Sequence, residues 1–301
     1  MTEATALHRP APQPSALHLA GAALMVFLAA QLAERIVPGP GSVLLFLPAS
    51  GLALALVLIG GPKYLSAAFL GMLGSSLLLG QPVVQALFQA SGLVAMAAFA
   101  AHQLQRHPDF HLDEPSLSVM PQFLFRVCML GGGVGALFWV CGWFLSGALV
   151  NAHTMPLFWQ AWMGHALGLL LVSVWLLSCR FAFQVKQPPA PWFETTLVWL
   201  LTIAFSHAIF GRDSGSLVHA PLTNAYWIFL FIGWSSLRLG LVSTSSLLCL
   251  VALLALRGTL MHQGYFGRDV TEANGFGYWS YMMILGTIAL ALSVYVQESE
   301  R

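Results

Sequence analysis

Two places in this sequence set groups able to do chemistry where such groups are costly. The first is His165, in Phe158-Trp159-Gln160-Ala161-Trp162-Met163-Gly164-His165-Ala166-Leu167-Gly168. The surrounding residues read as an apolar helix, with His165 about eleven residues from its start, near the midplane of a bilayer. An ionisable group at that depth is expensive and points to function. Imidazole titrates near physiological pH, so it can contact a ligand or respond to protons. The plainer alternative is a neutral imidazole hydrogen-bonded to a neighbouring helix. The second place is Leu47-Pro48-Ala49-Ser50-Gly51. Pro48 removes a backbone donor and crowds the preceding turn, and Gly51 loosens the chain further. Carbonyls freed in a membrane must face protein, water or ligand. Interrupted helices of this kind build central sites in transporters, although a proline kink relieved by a neighbour would look the same. Pro48, Ser50, Gly51, Trp162 and His165 are therefore the candidate ligand-binding residues. Nothing in the sequence makes the two places adjacent.

Other chemistry is poorly supported. Gly131-Gly132-Gly133-Val134-Gly135 lacks the Lys-Ser/Thr that a phosphate loop needs, and it lies within an apolar stretch. It reads as small residues that let helices approach closely, as do Gly71 and Gly74. Cys128, Cys141, Cys179 and Cys249 are too widely spaced for a zinc site or a disulfide framework. His102, His165 and His207 fall at different depths, which argues against haem. No catalytic residue, metal or cofactor is expected.

The elements that must position these residues follow from composition. Charged residues make up 8% of the chain and hydrophobic residues 58%, with mean hydropathy +0.78. Soluble domains carry about 25% charged residues. The net charge of +1 suggests no nucleic-acid partner. Apolar stretches at 18–37, 42–61, 63–80, 83–104, 122–149, 155–179, 193–210, 222–239, 240–261 and 277–296 predict an all-α, polytopic transmembrane helical bundle of about ten spans, the count falling toward eight if either tight turn is wrong. Those turns are placed at Gly61-Pro62 and at Arg238-Leu239-Gly240. Arg9, Lys63, Arg106, Arg126, Arg180, Lys186, Arg238 and Arg301 would share one side, and Arg35, Arg212, Arg257 and Arg268 the other. The excess places both termini in the cytoplasm. The outer arginines mostly have acids beside them, such as Asp269 next to Arg268. Trp159, Trp192, Trp227 and Trp279 read as interfacial belt residues.

Several of these segments resemble a known family. Pro48-Ala49-Ser50-Gly51-Leu52-Ala53, Gly60-Gly61-Pro62-Lys63-Tyr64 and Phe69-Leu70-Gly71 are similar to motifs of the bacterial membrane-associated sensor (MASE) family, type one. So are the Trp-rich run ending in Gly168 and the turn Leu237-Arg238-Leu239-Gly240. The likeness covers about residues 20–296. His165 stands where the family has an acidic residue in Gly-Asp-Ala, which puts in doubt any role that needs a carboxylate there.

The resemblance implies an integral membrane sensory domain of the bacterial inner membrane, without enzymatic activity. It would perceive a small ligand or a membrane state and relay it to a cytoplasmic histidine kinase, diguanylate cyclase or cyclic-di-GMP phosphodiesterase. That partner would act in trans or as a missing C-terminal domain, and a homodimer stays open. Residues 1–16 are expected to be a disordered tail, 17–297 the sensory domain, and 298–301 the start of a cytoplasmic tail or linker. The short tail suits a stand-alone module acting through a partner. A small-solute transporter or permease is the rival reading, weakened by the scarcity of deep charges and of any internal repeat.

Overall fold

The computed structural model describes residues 14–36, 45–112, 115–147, 154–184, 191–211, 224–269 and 273–299. Ten helical rods run through them: α1 (Ala16–Ile36), α2 (Pro48–Gly60), α3 (Tyr64–Leu78), α4 (Val83–Gln105), α5 (Leu117–Leu145), α6 (154–184), α7 (Trp192–Phe210), α8 (Trp227–Arg238), α9 (Gly240–Leu260) and α10 (Phe276–Ser299). Each predicted apolar stretch corresponds to one rod. Among the described residues seven rods are long and apolar enough to cross a membrane, whereas α2, α3 and α8 are shorter. At 1.5 Å per residue, α2 is only about 20 Å long against about 30 Å of hydrocarbon.

The turns form where the sequence places them. Gly61 has φ +88° and Gly240 φ +77°, a left-handed conformation that glycine adopts without strain. Gly61 N–H closes α2 on the Val57 carbonyl at 2.9 Å, and Leu65 N–H bonds the Pro62 carbonyl at 3.1 Å, turning the chain into α3. Arg238 ends α8, and its guanidinium meets the Glu194 carboxylate at 3.2 Å. Trp234 Nε1 donates to that same carboxylate at 2.8 Å, so the α8–α9 turn is tied to the start of α7.

In the N-terminal half α2 packs against α1, α3, α4 and α6, while α5 packs between α4 and α6. The C-terminal half groups α7, α8, α9 and α10, and α6 joins the halves by touching α9 and α10. Small residues set the closest approaches. Gly71 lies against the Ala23 carbonyl of α1, and Gly132 lies against the backbone of Ala166. α9 adds hydroxyl bonds to its apolar contacts: Trp199 Nε1 to Ser243 Oγ (3.0 Å), Trp175 Nε1 to Ser246 Oγ (2.9 Å), and Ser235 Oγ with Thr244 Oγ1 (3.0 Å). Such bonds hold helices together in lipid, where burying apolar surface gives no drive. Leucines, isoleucines and methionines face outward along α1, α7 and α10, among them Leu24, Leu28, Leu200, Ile203, Ile284 and Ile288.

One sequence expectation needs correcting. Trp159, Trp192 and Trp227 are exposed, as a belt requires, but Trp279 is 8% exposed and packs on Trp162 at 5.1 Å. Its neighbours come from α6, which local sequence does not display. Asp269, next to Arg268 in sequence, has a structural role that the sequence does not show. Its Oδ1 accepts from Gly277 N–H at 2.9 Å and its Oδ2 from Tyr278 N–H at 2.7 Å, capping α10. A carboxylate there also complements the positive end of the helix dipole.

Candidate functional site

Pro48 does not kink a longer helix. It is the first residue of α2, where its missing N–H costs nothing. Leu45, Phe46 and Leu47 precede it without helical structure and are buried. Backbone of this kind at membrane depth needs protein partners, and α6 supplies one, because Leu47 N–H donates to the Gly164 carbonyl at 3.1 Å. The lead-in to α2 therefore rests directly on α6, four residues before Gly168.

The next contact joins the two candidate regions. Ser50 Oγ and His165 Nδ1 are hydrogen-bonded at 2.7 Å, with Ser50 wholly buried and His165 5% exposed. The deep imidazole is thus bonded to a neighbouring helix, and the neighbour is the other candidate segment. Glycines make this approach feasible. A Cβ on Gly168 would overlap the Leu47 carbonyl, and one on Gly51 would overlap the Gly168 carbonyl. A Cβ on Gly135 of α5 would sit 3.0 Å from the imidazole, so α5 walls the ring from its other side.

Helix geometry is altered at this point as well. Residues Leu169–Ser173 of α6 and Phe123–Gly131 of α5 form wide π-helical turns, a distortion frequent at functional sites. The turn in α6 follows Gly168 directly, opposite Gly51. Trp162, one turn before His165, donates Nε1–H to the Met129 carbonyl at 2.8 Å in the α5 distortion. Its ring meets Trp279 in the first turn of α10.

All five candidate residues consequently share one junction of α2, α5, α6 and α10. Sequence reasoning did not foresee that the start of α10 belongs to it. Gly275, with φ +83°, closes against the Leu45 side chain, and Asp269 caps the helix that follows. Seven intervening residues separate Asp269 from Gly277, beyond the local spacing that marks a cap in sequence. A second omission is a buried amide cluster. Gln31 Nε2 donates to Ser75 Oγ at 3.1 Å, and Ser76 Oγ donates to Gln89 Oε1 at 3.0 Å, linking α1, α3 and α4.

With this geometry in hand, comparison with family models gives a match to MASE1 over residues 14–300. The chain belongs to the MASE1 family. MASE1 is a membrane-associated sensor domain, so this protein is a multi-pass membrane sensory module. Comparison with curated proteins and with solved structures finds no match. Within this MASE1 chain, position 165 carries an imidazole that bonds a serine hydroxyl.

Proposed function

We propose that this MASE1 chain is a bacterial inner-membrane sensor that perceives a small ligand at the α2–α6 junction and passes a helix displacement along α10 to a cytoplasmic output protein. That output would be a histidine kinase, a diguanylate cyclase or a cyclic-di-GMP phosphodiesterase. The observation that carries this reading is the Ser50–His165 bond at a junction which also holds the start of α10. A ligand that hydrogen-bonds either side chain competes with their mutual bond. It therefore binds the joined and separated packings unequally, and only unequal binding shifts an equilibrium. A tenfold preference corresponds to about 1.4 kcal/mol.

The orientation has structural support. Leu117 N–H, at the start of α5, donates to Glu298 Oε1 near the end of α10 at 2.9 Å. The α5 start, near Arg126, thus shares an end of the bundle with the last turn of α10. A cytoplasmic C-terminus, on the same side as Arg126, is compatible with this. Glu298, expected in a linker, belongs to α10, while most of the expected 1–16 tail lies outside the described residues.

A diguanylate cyclase domain joined after Arg301 would report the state of α10 as cyclic-di-GMP produced in cells. Pro48→Ala and His165→Leu are each expected to change that output while the protein still inserts in the membrane. Unchanged output and an unchanged dose response in both variants would remove the junction from the sensing role.

A further inference from the structure

A second site lies away from the junction, at the end of the bundle where α10 finishes. A cavity of about 100 Å³ opens there between the ends of α4 and α6, the start of α5 and α10. Its walls are apolar, with Leu104, Phe123, Leu177 and Val294 among them. Residues 110–112 and 115–116 of the connection from α4 to α5 line it. Phe110 and Leu112 turn inward from that connection and pack on the core. Its polar atoms are tied down outside: Ser118 Oγ donates to Asp109 Oδ2 at 2.9 Å, and Asp109 N–H donates to His107 Nδ1 at 3.2 Å. His111, Ser116 and Ser178 are its polar lining residues.

Size and lining narrow what can enter. A cavity of about 150 Å³ takes one benzene ring, so this space takes roughly four heavy atoms of a chain. Its apolar lining favours apolar guests. A partner protein's helix, about 10 Å across, is far too wide. The location gives occupancy a consequence. Leu290 and Val294 of α10 form one wall, and Glu298, one turn further on, holds the first amide of α5.

We propose that this cavity binds the last four or so carbons of a single alkyl chain, the rest of the chain and its polar head lying outside, and that occupancy shifts the last two turns of α10. The chain comes from a free medium-chain amphiphile or from the end of a lipid acyl tail. The site is independent of the α2–α6 junction, so either can fail without the other.

The test uses the full chain in phosphatidylglycerol nanodiscs and an eight-carbon alcohol carrying an aliphatic diazirine. Photolabelling mapped by mass spectrometry is expected to concentrate in peptides 104–123 and 286–298 and to fall at least fivefold with excess 1-octanol. Val119→Phe and Leu290→Phe, which fill the cavity from different helices, should each reduce that labelling and leave labelling of α1 unchanged. Either variant that remains monodisperse suffices. A phosphatidylglycerol with the diazirine at its chain end identifies a lipid source if it labels the same peptides. Labelling spread evenly over outward faces, or insensitive to both octanol and the filling variants, overturns the proposal.

Discussion

Breaking the Ser50–His165 bond gives the sharpest prediction. The bond is 2.7 Å long between side chains that are 0% and 5% exposed. Ser50→Ala strips the hydroxyl and leaves a ring nitrogen buried without its partner, a loss of about 1–3 kcal/mol. His165→Phe leaves a serine that can turn back to a carbonyl of its own helix, as serines in helices do, so the polar part of its cost is smaller. The pairwise term is what the geometry specifies. Interhelical bonds in membranes average about 0.6 kcal/mol and reach about 1.7, equivalent to roughly 3- to 18-fold in an equilibrium constant. With both groups buried and the distance short, the coupling here is expected near 1 kcal/mol, inside that range. The assay is a double-mutant cycle of unfolding in detergent micelles, followed by tryptophan fluorescence. Coupling within about 0.3 kcal/mol of zero, the ordinary scatter of independent sites, would refute the reasoning.

Further predictions follow from neighbouring contacts. Gly168→Ala places a methyl group against the Leu47 carbonyl, whereas Gly21→Ala meets nothing within 4 Å; the first should lower the unfolding midpoint markedly and the second should not. Asp269→Ala removes a charged cap and should cost about 2 kcal/mol, with Asp269→Asn recovering part of it, read by the same unfolding assay. Gly240→Ala forces an L-residue to φ +77° and should cost about 1 kcal/mol or more. In a cysteine-free background, Lys63→Cys and Arg238→Cys should react with a membrane-impermeant maleimide only from the cytoplasmic side, and Arg257→Cys only from the opposite side. Any reversal would invert the topology.

Much of the fold was legible because lipid enforces simple rules. Apolar runs located ten rods, and Gly61-Pro62 and Gly240 marked turns whose positive φ the structure displays. The two residues of the junction that cost most in hydrocarbon, His165 and the serine beside Pro48, stood out for the same reason. What sequence could not supply was proximity. Ser50 and His165 are separated by 115 positions, and their meeting depends on Gly51 and Gly168 lying face to face. Trp279 looked interfacial because it sits near a span end, yet Trp162 of another helix buries it. Asp269 acts across a turn too long for any local capping pattern. The buried amides of Gln31 and Gln89 occur within apolar runs whose average hydropathy conceals them.

The central claim is that the state of the α2–α6 junction is transmitted to the far end of α10. Nitroxide labels at the exposed positions 63 and 295, read by pulsed electron–electron resonance in nanodiscs, measure this directly. The expected result is a second distance population, or a shifted one, in Ser50→Ala and Gly168→Ala relative to the parent, with Gly21→Ala unchanged. Identical distance distributions in all four proteins would show that α10 does not follow the junction, and would contradict the account.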